Sequence, residues 1–108
     1  MSSNLETAKI FSFEKDLNYA ADSIVSKTII KKPSGNVSLF SFDAGQGLEE
    51  HTAPFEAFIQ IIEGNPEISI DKTVYKLQEG ECIVLPANIP HSVKATGKFK
   101  MMLVMLKN

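Results

Sequence analysis

Apolar and polar positions alternate along most of this chain with a period of two, the spacing of a strand that buries one face. Phe11 and Phe13 flank Ser12, Leu39 alternates with Ser38, and Phe40 alternates with Ser41. Ile68 and Ile70 flank Ser69, and Tyr75 and Leu77 flank Lys76. The runs are separated by Lys32-Pro33-Ser34-Gly35, Gly45-Gln46-Gly47, Gly64-Asn65-Pro66, Asp71-Lys72, Glu79-Gly80 and Pro86-Ala87-Asn88-Ile89-Pro90. Each supplies the Gly, Pro, Asn or Asp that tight turns require. The pattern predicts strands near Lys9–Phe13, Ile24–Lys31, Val37–Phe42, Ala57–Glu63, Glu67–Ile70, Thr73–Leu77, Cys82–Leu85, Ser92–Ala95 and Lys100–Leu106. Many short strands at such spacing define an all-β sandwich or barrel. One short helix is predicted over Asp16–Ser23, with Asp16 as its N-cap. Ala57–Glu63 and Cys82–Leu85 are apolar on both faces, as when one face fills a barrel and the other meets a second sheet or subunit. The first and last strands are read as edges that need cover, which a second copy of the chain would provide.

At 108 residues the chain has the size of one domain. Its 44% hydrophobic and 22% charged residues are an ordinary globular balance. All eleven basic residues are Lys, set against thirteen acids for a net charge of −2. No basic field results, so nucleic acid is not an expected partner, and no span approaches the roughly 20 apolar residues of a membrane helix, so no membrane is expected either. Without Arg there is no planar fork for phosphates, which makes a nucleotide-linked substrate a poor fit. A lone Cys82 forms no intrachain bridge, and Met1 to Thr7 lacks a signal-peptide signature; both favour a cytoplasmic protein. No P-loop, dinucleotide-binding glycine pattern or nucleophile elbow occurs.

Candidate chemistry rests on the two histidines, His51 and His91, each just outside a turn-bounded strand. Neutral imidazole is the commonest metal ligand, so two brought together across a barrel would make a site. The stretches around them resemble the two motifs of the cupin family. The first motif, G-x5-H-x-H-x3/4-E-x6-G, is matched by Gly45, His51 and Gly64. The second, G-x5-P-x-G-x2-H-x3-N, is matched by Gly80, Pro86 and His91. The resemblance spans about residues 37–106 and implies an all-β, cupin-type double-stranded β-helix (jelly-roll-like) barrel. Residues 37–108 would form its core and residues 1–36 the N-terminal strands that complete or cover it, all in one domain.

The departures from those motifs bear on function. In the family, three His and one Glu hold a divalent metal. Here the second motif-one His falls at Ala53, and the Glu falls at Ala57 or, at the longer spacing, Phe58. Asn88 stands for the second-motif Gly and Ala95 for its final Asn. Glu56 sits one residue from the expected carboxylate; a one-residue offset reverses the face of a strand, unless Pro54 holds the segment in a loop or bulge. The resemblance therefore implies His51 and His91 as metal ligands for Fe, Mn, Ni or Zn, with Glu56 as a weaker third, or no metal at all.

A ligand pocket is expected to involve His51, Tyr75, His91, Met101, Leu103 and Met105. The last three alternate on one face of the final strand, and Met adapts to irregular apolar space. Ordinary barrel core or subunit packing is the favoured reading of Met101, Leu103 and Met105, whereas for His51, otherwise an acidic-rim residue, and His91, otherwise a strand start satisfying backbone groups, the joint match to the motifs favours a site. Cys82 is expected to be buried, and Gln60 to face a second sheet, a subunit contact or the pocket. Two functions follow: a small-molecule-binding cupin with a degenerate two-histidine site, or a metal-dependent enzyme of dioxygenase, isomerase or decarboxylase type. A homodimer is expected because cupins often pair.

Overall fold

The computed structural model describes residues 7–107, apart from the side chain of Glu14. Met1–Glu6, most of the stretch read above for a leader, lie outside the described residues. The elements are α1 (Phe13–Asp16), β1 (Ile24–Lys32), β2 (Gly35–Phe42), β3 (Gly47–His51), β4 (Glu56–Glu63), β5 (Glu67–Ile70), β6 (Thr73–Lys76), β7 (Cys82–Leu85), β8 (His91–Lys94) and β9 (Phe99–Leu106). All pairings are antiparallel. They form a five-stranded sheet in the order β1-β2-β9-β4-β7 and a four-stranded sheet in the order β3-β8-β5-β6. The expected all-β architecture is the observed one.

The period-two residues explain the core. Ala57, Ile59 and Ile61 of β4, Leu85 of β7 and Met101 of β9 bury the inner face of the larger sheet, against Ile68 and Val93 of the smaller. Phe42 and Phe99 stack at 4.3 Å between ring centroids; each contributes about 2–3 kcal/mol by burial. Gly64, at φ +88°, turns the chain after β4 so tightly that a Cβ would collide with the Lys98 carbonyl and Phe99.

Four expectations are corrected. Residues 9–12 are not a strand: no described strand pairs with them, and Ile10 is 98% exposed. Asp16–Ser23 is not a helix; Asp16 instead closes the single turn α1, its N–H donating to the Ser12 carbonyl (2.8 Å) while its carboxylate accepts from the Ser12 N–H (2.6 Å). Strand β9 is not an edge but the third of five, between β2 and β4. Cys82 is exposed, because it opens the edge strand β7 on the outward face opposite Gln60.

The outer face of the larger sheet is half covered by the segment before β1. Leu17 is 2% exposed, the Ser41 hydroxyl donates to the Asn18 carbonyl (2.9 Å), and Tyr19 donates to Glu63 (2.8 Å). Lys100 is buried there, its ammonium 5.1 Å from the Tyr19 ring centroid. No helix among the described residues is long and apolar enough to cross a membrane.

Candidate functional site

His51 ends β3 and His91 begins β8, and the two are Cα partners across the sheet. The pairing depends on a bulge. Leu48 faces Val93, and two residues further along β8 comes His91, but three further along β3 comes His51. The extra residue on β3 re-aims the strand. In an unbroken register Glu50 would face His91, and the His51 ring would point away from the barrel. The turn before β8 is fixed by Asn88, at φ +63°, a left-handed conformation that Asn tolerates better than most side chains. The Asn88 N–H donates to the Ala53 carbonyl (2.7 Å), tying the approach to β8 to the stretch after β3.

Each imidazole is anchored through Nδ1, His51 on the Glu49 carbonyl (2.8 Å) and His91 on the Ile89 carbonyl (3.1 Å). A carbonyl oxygen only accepts, so both Nδ1 atoms carry hydrogen, and each neutral ring presents a bare Nε2. Those Nε2 atoms meet at 3.2 Å, with the rings at 70°. Two lone pairs do not face each other at that distance unaided. The pair calls for a shared proton, a hydrogen-bond donor on a ligand, or a cation. Burial, chiefly, and the neighbouring His51 hold the His91 pKa below its ordinary 6.5, against the opposing effect of its bond to Ile89.

The imidazoles lie at a cavity of about 70 Å³ inside the barrel. Its walls are apolar: Phe55, Ala57 and Ile59 near β4, Leu85 on β7, and Met101, Leu103 and Met105 on β9. Leu48, Ala53 and Val93 complete the lining. Of the expected pocket residues, the structure brings together His51, His91, Met101, Leu103 and Met105. Tyr75 is not with them. It lies on the outermost strand β6 of the smaller sheet, 42% exposed. Leu48 went unseen because the acidic run of β3 hides its strand character.

A metal held by the family's three His and one Glu does not fit these residues. Ala53 and Ala57 both line the cavity, so the places of two ligands are taken by methyl groups. Glu56 is no substitute, since it faces Leu106 on the outer side of the sheet while Ala57 faces inward. Among the described residues no group of three or more His, Cys, Asp or Glu could hold a metal ion.

Two sheets closing over a cavity bounded by the two motif histidines define a cupin barrel. The profile of the cupin domain family matches residues 38–107, and the chain belongs to that family. A conserved protein of unknown function from Streptococcus pyogenes is 35% identical with a TM-score of 0.91, over 100% of this chain and 96% of that one. A cupin 2 conserved barrel domain protein from Leptotrichia buccalis is 36% identical with a TM-score of 0.85; the match covers 90% of this chain but 47% of that one. A single-residue mutant of the salicylate 1,2-dioxygenase from Pseudoaminobacter salicylatoxidans shares the fold (TM-score 0.72) at 18% identity, over 86% of this chain and 29% of that one. No curated protein matches the chain.

Proposed function

We propose that this cupin binds a small, largely apolar molecule inside the barrel, with its one polar group against the His51–His91 pair. The observation that carries this reading is the presence of Ala53 and Ala57 in the lining. With methyl groups there, the two imidazoles are the polar end of an otherwise hydrocarbon cavity. Since both exposed Nε2 atoms accept, the matching polar group is a donor such as an alcoholic, phenolic or enolic hydroxyl. Burial against the apolar walls supplies most of the affinity, at roughly 25 cal/mol per Å², and the histidines set orientation.

Methyl NMR tests this. Titration with phenol is expected to shift the Met101 and Met105 methyl signals in a saturable way, and His51→Ala to change the affinity only about threefold. Absence of any saturable shift at those methyls would remove the reading.

A second reading, a metal-dependent enzyme of dioxygenase, isomerase or decarboxylase type, is favoured by one observation. Both imidazoles are anchored by Nδ1 on backbone carbonyls with Nε2 atoms converging, which is how metal-bound histidines are usually held. Solvent or substrate would then have to complete the coordination.

A further inference from the structure

The cavity has a buried floor and a mouth on the side of His51. His91 and Met101 are buried, whereas His51 is exposed and Phe55 half-buried. Phe55 brings the only phenyl ring among the described lining residues, and it stands on no strand. His51 ends β3 and Glu56 begins β4, so Phe55 is the last residue of the short link between them. That link is fixed at two points. The Ala53 carbonyl accepts from the Asn88 N–H (2.7 Å), and Glu56 is paired with Leu106. Between them lie Pro54 and Phe55, and a proline has no N–H to give to a ladder. The other large walls near the mouth, Leu103 and Met105, stand on β9, held by β2 on one side and β4 on the other. They can adjust the shape of the wall but cannot leave it.

Volume supplies the second observation. At about 70 Å³ the cavity is well short of the roughly 150 Å³ of a dry apolar cavity that accepts benzene. A guest with one aromatic ring therefore needs a wall to give way. Lys107 supplies the third. It does not line the cavity, yet its ammonium lies 5.3 Å from the Phe55 ring centroid. Its backbone is itself held, the Lys107 N–H donating to the Ser34 carbonyl (2.7 Å). A cation over an aromatic face attracts it weakly, enough to bias a hinged ring and too little to lock it.

We propose that Phe55 is the door of the cavity and sets the size of the guest it admits, with Lys107 as its latch. Its role as a door rests on the small-molecule reading of the cavity. Swung outward on the Pro54-Phe55 span, the ring opens a path to the His51–His91 pair; swung back, it covers an apolar guest. A guest with one ring and one hydroxyl fits behind the closed door. A fused two-ring guest holds it ajar and loses that cover. A door and a fixed wall differ in kinetics. Trimming a fixed wall alters release, whereas removing a door alters entry, because entry waits for opening.

Line shapes of the Met101 and Met105 methyl signals, in titrations of the full chain with phenol and with naphthol, give both rate constants. Phe55→Ala is expected to raise the association rate of phenol about tenfold, and to move the ratio of naphthol to phenol affinity about tenfold towards naphthol. Lys107→Met is expected to raise association and release about threefold each, with the dissociation constant within about twofold of wild type. Circular dichroism and the unfolding midpoint report whether the barrel is intact. An association rate within about twofold of wild type in Phe55→Ala, or in Lys107→Met where the first variant does not fold, overturns the inference and leaves the small-molecule reading standing. So does a Phe55→Ala effect confined to release. No saturable shift in wild type or in either variant removes the small-molecule reading, and this inference with it.

Discussion

His91 carries the chemistry of the site at the scale of a single side chain. Its Nδ1 hydrogen is committed to the Ile89 carbonyl and its Nε2 is aimed at His51. Burial disfavours the imidazolium, so the native state resists a proton that the unfolded chain accepts at an ordinary pKa of 6.5. The sign follows from linkage. The depressed native pKa favours the folded state above the unfolded value, and that contribution is lost as pH falls through the native one. In an NMR titration the His91 ring proton should therefore reach its midpoint below 6.5, and the unfolding midpoint should fall as the solution is acidified across that range. A His91→Gln variant should lose that part of the acid dependence. A native midpoint at or above the ordinary value would mean that the ring is not held as described.

At the scale of elements, positions count for more than residue types. Gly64 is the clearest case. Its left-handed backbone and the close Lys98 carbonyl leave no room for a Cβ, so Gly64→Ala is expected to lower stability by about 2–4 kcal/mol in urea unfolding. A loss under about 0.5 kcal/mol would show that the turn yields. Apolar patterning and the flanking turns made β1, β2 and β4 to β9 legible to within a few residues, mostly because one face lies on the core, although β6 is exposed throughout. The pattern failed where alternation and burial part company. Phe11 and Phe13 alternate like a strand but have no described strand to pair with. In β3 the sequence Leu48-Glu49-Glu50-His51 reads as an acidic loop, because one inward Leu is followed by a bulge. The bulge was the decisive omission: it turns His51 into the barrel, and nothing in composition or period announces it. That His51, His91, Met101 and Met105 line one cavity was legible from motif spacing and strand alternation. Tyr75 was misplaced because alternation gives a strand two faces without saying which sheet, or which edge, it joins.

For the whole molecule, the fold explains why the cavity is so apolar. Two sheets share one small core, and the cavity is that core left slightly unfilled, with Met101 and Met105 as its adaptable wall. The same architecture leaves the larger sheet with an outer face, on the side opposite the cavity, that the segment before β1 covers in part. The cupin fold hosts many chemistries, and the choice among them lies in the side chains at the cavity. Here that choice turns on Ala53 and Ala57. Elemental analysis of the protein purified without a polyhistidine tag, after equilibration with Fe, Mn, Ni and Zn, measures it most directly. The account predicts well under one metal ion per chain in wild type, and a gain toward one equivalent in the double variant Ala53→His/Ala57→Glu, where the family's four ligands would be complete. One tightly held equivalent in wild type, lost in both His51→Ala and His91→Ala, would contradict it.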